Sequence, residues 1–193
     1  MVVTAKRFTL AEYLAYNDGN DGTDKRYELV NGELIEIPSE SDLNNQIAIF
    51  LLLKFAQLIP SYLLRRGTEV VVSGYHATSR VPDLMVLTED AAAALAGATR
   101  SILLPDMPPP ALVVEVVSPG KENEERDYRY KRSEYGARGI AEYWMVDPER
   151  AQVTVLTLVD GLYEEAIYQG DSRLISQIFP LLDLTAVQVL KGQ

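Results

Sequence analysis

Two carboxylates stand where a carboxylate is hard to keep ionised. Glu115 interrupts "VVEVVSPG" (113–120), whose valines fill both faces of a strand, as in an interior strand covered on both sides. Asp83 opens the apolar run "DLMVL" directly after Pro82. A buried carboxylate needs a partner: an opposite charge, hydrogen bonds or a metal ion. If the strands at 83–87 and 112–117 are neighbours, both acids can point into one cleft, where they repel unless a cation lies between them. That inventory suits Mg2+ (or Mn2+), which binds through one or two carboxylates together with water and substrate phosphate oxygens. Glu28, between Tyr27 and Leu29, is a third acid in a similar setting. Each acid also has a plain structural reading. Asp83 could cap a turn after proline, Glu115 could sit in a structural salt bridge, and Glu28 could point outward from a hairpin.

A cation is supplied nearby. "RDYRYKRSEYGAR" (126–138) puts Asp127, Lys131 and Tyr135 at i, i+4 and i+8, along one helical face. A lysine beside a cation site can orient an attacking water or stabilise developing negative charge. The competing reading is a solvated helix laced by ion pairs. Arg126, Arg129, Arg132 and Arg138 make this the arginine-rich segment of the chain, and it is expected beside the cleft.

Positioning these groups requires the following elements. Thr9 with Glu12 three residues later is a capping-box signature for a short N-terminal helix. "RYELV" and "ELIEI", joined by Asn31-Gly32, predict a β-hairpin, because a type I′ turn needs positive φ at both central residues. The residues from Ser39 to Asp42 can cap a long apolar helix over 43–59. Strands are expected at "TEVVVSGY", at 82–87 and at 112–117, with an Ala-rich helix over 89–98. A charged helix over about 121–138 should end at Gly136 and Gly139, followed by a three-strand meander with turns at Asp147-Pro148 and Asp160-Gly161. The fold class is therefore α/β (α+β), a mixed β-sheet flanked by α-helices, with an N-terminal helix and β-hairpin.

A length of 193 residues predicts one domain over 1–193. The absence of cysteine excludes disulfides and thiolate zinc sites and fits a reducing, cytoplasmic setting. The most apolar segment, 47–59, contains Lys54 and Gln57 and is too short to span a bilayer, so no membrane association is expected. Net charge is −10, the opposite of the usual balance in proteins that bind nucleic acid through its phosphates. "DGNDGTD" (18–24) fails as a calcium loop, since Thr23 and Leu29 stand at the invariant glycine and closing acid positions. His76 is the sole histidine and no nucleophile motif accompanies it; a surface or turn role is expected.

Four phrases taken in order, "RYELVNGELIEIPSESD", "PDLMVL", "LVVEVVSPG" and "DYRYKRSEYGARGIAEYWMVDPE", resemble the Uma-two family of restriction endonucleases, within the PD-(D/E)-x-K nuclease superfamily. The resemblance covers roughly residues 8–190. It implies a restriction-endonuclease-like core and Mg2+- or Mn2+-dependent hydrolysis of phosphodiester bonds in DNA. It also implies Asp83 and Glu115 as metal ligands, the Val116 carbonyl as a third ligand, and Glu28 as an additional acid. Where Glu-x-Lys would place lysine the chain has Val117. The resemblance implies that the lysine has moved to the following helix, as Lys131, with Lys121 the competitor. Many relatives carry a histidine near the start of the long apolar helix, where this chain has Asn44 and Asn45. A homodimer is expected by analogy with the superfamily. The rival expectation is a catalytically inactive binding module that keeps the fold, and the same residues would also serve a hydrolase of smaller phosphate esters.

Overall fold

The chain was analysed as a computed structural model that describes residues 7–16, 27–37, 39–72 and 76–193. Helix α1, Leu10–Ala15, begins at the Thr9–Glu12 capping box. Strands β1 (Tyr27–Val30) and β2 (Glu33–Glu36) form the hairpin, and its turn uses φ of +50° at Asn31 and +83° at Gly32. A Cβ at Gly32 would lie 3.0 Å from both the Arg7 Cβ and the Phe8 carbonyl oxygen, so glycine serves close approach as well as dihedral angle. Helix α2, Asp42–Phe55, starts with the Ser41 side chain accepting from the Asn44 N–H. Next come β3 (Leu64–Arg65), β4 (Glu69–Val72), β5 (Thr78–Arg80), β6 (Leu84–Val86), α3 (Glu89–Leu95), β7 (Ile102–Leu103) and β8 (Leu112–Val116).

The charged helix runs as α4 (Lys121–Glu125), a π-helical stretch Arg126–Lys131, and α5 (Arg132–Arg138). Gly139, at φ +81°, ends it; Gly136 does not. It lies inside α5, where a Cβ would be 3.3 Å from the Tyr163 ring, so its small size serves packing. Strands β9 (Glu142–Asp147), β10 (Gln152–Val159) and β11 (Leu162–Gln169) form the expected meander, and α6 (Ala186–Lys191) follows.

The strands divide between two mixed sheets, in the orders β2-β1-β5-β4-β7 and β11-β10-β9-β8-β6-β3. Within the second, β8 and β9 are parallel, and the 121–138 helical run is the crossover that a parallel pair needs. Period-2 alternation gives this sheet two apolar faces. Leu84, Val86, Val114, Trp144 and Val146 pack with Ile47, Leu51 and Phe55 of α2. Met85, Val113, Val117, Tyr143 and Met145 pack with Tyr135 of α5 and with Val70 and Val72 of the other sheet. The adjacent aromatics Tyr143 and Trp144 thus serve opposite faces. Among the described residues, no helix is long and apolar enough to cross a membrane. The rejected calcium loop at 18–24 lies outside the described residues.

Candidate active site

Strand register brings the two acids together. β6 and β8 are antiparallel, with Leu84 opposite Val114 and Met85 opposite Val113; one residue further, Asp83 falls opposite Glu115. Side chains directly opposed across such a pair lie about 5 Å apart at Cβ. The Val116 N–H donates to Asp83 Oδ2 at 2.6 Å, tying the acid to the strand that carries its partner. Alternation turns Glu115 to the face of Val113 and Val117, toward the helical run. There the Tyr135 hydroxyl donates to Glu115 Oε1 at 2.6 Å, and Lys131 Nζ lies 2.8 Å from Oε2. Lys131 also lies 3.3 Å from Asp127 Oδ1, and Arg126 pairs with that same carboxylate at 2.9 Å. Asp127, Lys131 and Tyr135 are therefore one buried face, as the i, i+4, i+8 spacing predicts, and the solvated-helix reading does not hold for them. Asp127 and Lys131 belong to the π stretch, a helical form common at functional sites.

A second ion network buttresses the first. Arg80, 2% exposed, donates to Glu28 Oε2 at 3.0 Å and through Nε and Nη2 to the two oxygens of Glu134, both at 2.8 Å. Glu28 also accepts from the Val81 N–H at 3.0 Å. It is buried rather than pointing out from the hairpin. Arg66 donates to the Asp83 carbonyl, to Asn45 Oδ1 and to Glu40 Oε2, at 3.0, 2.8 and 2.9 Å. Asn44, in the first turn of α2, donates to the Val116 carbonyl and to Ser118 Oγ, both at 3.3 Å. These groups line one cleft of about 720 Å3, into which Glu28, Asp83, Glu115 and Lys131 all project.

Burial dominates the electrostatics. It pushes the Asp83 carboxyl up to about 6, against the Val116 N–H bond and the Lys131 charge. It pushes Glu115 up to about 8; Lys131 opposes that rise, but Asp83, Asp127 and Glu28 add to it. Burial would also raise Glu28, yet Lys131, Arg80 and the Val81 N–H hold it below the usual carboxylate range. Asp127 is likewise held low against its burial by Lys131 and Arg126. Burial alone would lower Lys131, but Glu115, Asp127 and Glu28 outweigh it and raise it well above its ordinary value. Lys131 is consequently protonated throughout the physiological range: it can donate hydrogen bonds and offset negative charge but cannot accept a proton. Six acids against four bases leave the cleft short of positive charge.

The two rival lysines part here. Lys121 is exposed at the start of α4 and does not line the cleft, whereas Lys131 is in contact with Glu115. Of the four helix arginines only Arg126 lines it. Arg132 pairs with Glu165, Arg138 donates to the carbonyls of Val71, Leu104 and Met107, and Arg129 is exposed with its guanidinium over the Tyr130 ring. Their alkyl lengths and the turn of the helix carry them to other partners, so the basic segment does not answer the negative total charge. Nothing in the spacing of the chain singles out Arg66, Glu40 or Glu134, and little singles out Arg80. Arg80 had one usable signal, a charge closing the segment that leads into Val81-Pro82-Asp83. Arg66 had none, because only tertiary packing carries it to the Asp83 carbonyl.

Among the described residues, no three acidic, histidine or cysteine side chains converge to hold a metal ion by themselves. Two opposed carboxylates and the Val116 carbonyl are nonetheless a hard oxygen donor set. It fits Mg2+ or Mn2+ when water and substrate complete the shell. The raised carboxyl of Glu115 fits as well, since a cation between the two acids would offset the Asp83 charge that, after burial, helps raise it.

A family model described as "Uma2: Putative restriction endonuclease" matches residues 10–187. Among solved structures, the crystal structure of "a putative nuclease belonging to DUF820" from Anabaena variabilis ATCC 29413 superposes with a TM-score of 0.70 at 17% sequence identity. The match covers 96% of this chain and 98% of that one. At that identity the likeness establishes the fold. Comparison with curated proteins gave no match.

Proposed function

We propose, because the chain belongs to the Uma2 family of putative restriction endonucleases, that it is a divalent-cation-dependent hydrolase of phosphodiester bonds in DNA. The observation carrying this reading is the opposition of Asp83 and Glu115 across β6 and β8, with Lys131 Nζ 2.8 Å from Glu115. Asp83, Glu115 and the Val116 carbonyl would hold Mg2+ or Mn2+. When bound, the ion supplies positive charge that polarises the scissile phosphate and lowers the pKa of an attacking water. Lys131, fixed in its protonated form, donates toward the phosphate oxygens and offsets the charge that grows on them. Tyr135 orients Glu115 by donating to Oε1. Glu28 and Asp127 keep Lys131 charged, and Glu28 also holds Arg80 and the Val81 backbone ahead of Asp83. Asn44 steadies the Val116 carbonyl and the Ser118 hydroxyl at the end of β8.

One observation favours the inactive module. Both Glu115 oxygens are already engaged, one by Tyr135 and one by Lys131, so a metal ion must compete for the carboxylate. The deciding experiment incubates single-stranded and duplex DNA with wild type, Asp83→Asn, Glu115→Gln and Lys131→Met, in Mg2+, in Mn2+ and in EDTA. Metal-dependent cleavage by the wild type that each substitution lowers at least a hundredfold supports the nuclease. No cleavage by the wild type rules it out and leaves the module, whereas cleavage that survives Glu115→Gln overturns this assignment of the site.

A further inference from the structure

Two large apolar side chains line the wall of the acidic cleft without being buried by the fold. Ile35 is 48% exposed and Tyr130 51% exposed, and both line the cleft that holds Asp83 and Glu115. Their positions tie them to its charged centre. Ile35 is the cross-strand partner of Glu28, the acid bound to Arg80, and Tyr130 immediately precedes Lys131. Val30, Ile37, Val81 and Pro82 also line the cleft.

The charges lining the cleft do not form a track for a polyphosphate backbone. Six acids and four bases line it, a formal surplus of two negative charges. Each base is already paired: Arg66 with Glu40, Arg80 with Glu28 and Glu134, Arg126 with Asp127, and Lys131 with Glu115 and Asp127. Proteins that grip duplex DNA non-specifically do so by setting many cations against phosphates. Here affinity has to come from another contact. A volume of about 720 Å3 falls within the range of pockets that enclose a small molecule, roughly 300–1,000 Å3. A duplex keeps its bases stacked inside a cylinder and brings one to this wall only by flipping it out, at a cost of about a few kcal/mol. An unpaired nucleotide avoids that cost, and every base has a π-face that stacks on an aromatic ring whatever its identity.

Resting on the nuclease reading, we infer that the cleft takes an unpaired nucleotide. The scissile phosphate lies at Asp83 and Glu115 and the base lies against Tyr130 and Ile35, so the substrate is single-stranded DNA rather than intact duplex. Sequence preference is weak, because stacking does not read base edges. Salt dependence is shallow, because few phosphates are contacted.

The test measures fluorescence anisotropy of a labelled 15-nucleotide single strand and of its duplex, with Ca2+ in place of Mg2+ to suppress cleavage. Wild type, Tyr130→Ala and Tyr130→Phe are compared. Tyr130 is half in solvent, so both variants keep the fold. The expected result is at least tenfold tighter binding of the single strand than of the duplex. Tyr130→Ala weakens it about tenfold, Tyr130→Phe retains it, and affinity falls less than about tenfold between 50 and 200 mM salt. Duplex binding as tight as single-strand binding, or Tyr130→Ala binding like the wild type, overturns the inference. The accompanying Mn2+ cleavage assay separates the two claims. Duplex cleavage that Tyr130→Ala leaves unchanged overturns the base subsite and keeps the nuclease. Tyr130-dependent single-strand binding without cleavage of either DNA keeps the subsite and overturns the nuclease.

Discussion

Asp83→Asn is expected to stabilise the metal-free protein while abolishing the proposed reaction. The Asp83 carboxyl is pushed from an ordinary value of 3.8 up to about 6, chiefly by burial. At 1.36 kcal/mol per pKa unit, two units amount to about 3 kcal/mol. The side chain is partly open to the cleft, where solvent screens it, and about 1–2 kcal/mol is a better expectation. The sign follows from linkage. A carboxyl with a raised folded-state pKa holds its proton in the native protein after the unfolded chain has lost it. Its contribution to stability therefore falls as pH rises from about 4 through 6 and stays low above that. Asparagine keeps an oxygen that can accept from the Val116 N–H, and it carries no charge at any pH. At pH 8 in EDTA the variant should unfold about 2–8 °C above the wild type, since 1 kcal/mol shifts a chain of this size by roughly 2–4 °C. The gap should narrow toward zero near pH 4. Added Mg2+ should raise the wild type and not the variant. The assay is thermal unfolding followed by circular dichroism across this pH range. A variant less stable than wild type at pH 8, or a gap independent of pH, would refute the reasoning.

Three further expectations bear on the same groups. Mg2+ binding followed calorimetrically should tighten from pH 6 to pH 8.5 and release protons, because the ion displaces them from Glu115 near 8 and Asp83 near 6; a flat pH profile contradicts this. Lys131→Met removes the cation shared by Glu115 and Asp127 and should lose about 3–5 kcal/mol in denaturant unfolding at pH 8. The loss should be smaller at pH 5, where Glu115 is already neutral. Arg80→Ala strands Glu28 and Glu134 and should lose a comparable amount, about 3–5 kcal/mol. Arg80→Lys should recover only part of it, because an ammonium cannot donate to both Glu134 oxygens as the planar guanidinium does.

Local chemistry was legible wherever a short segment carries its own geometry. The Asn31-Gly32 turn, the Thr9–Glu12 capping box and the 142–169 meander depend on residues near each other in sequence, and all three stand in the structure. The Asp127, Lys131 and Tyr135 face was legible from spacing alone, since a helical repeat sets which side chains share a side. The short strands β3, β5 and β7 were not, because two or three residues are too few to show alternation.

The sequence by itself therefore determined that a carboxylate sits inside an apolar strand, that a second opens another, and that a lysine shares one face of a later helix with Asp127 and Tyr135. Only tertiary structure decided that these meet. Register sets Asp83 opposite Glu115, strand alternation turns Glu115 toward the helix rather than toward α2, and the crossover brings Lys131 onto its oxygen. Arg66 and Arg80, like the division into two sheets, depend on contacts between segments far apart in the chain. The physical reason is range. Backbone dihedrals and helical spacing act over a few residues, whereas a buried charge is neutralised by whatever partner the packing delivers from any distance along the chain.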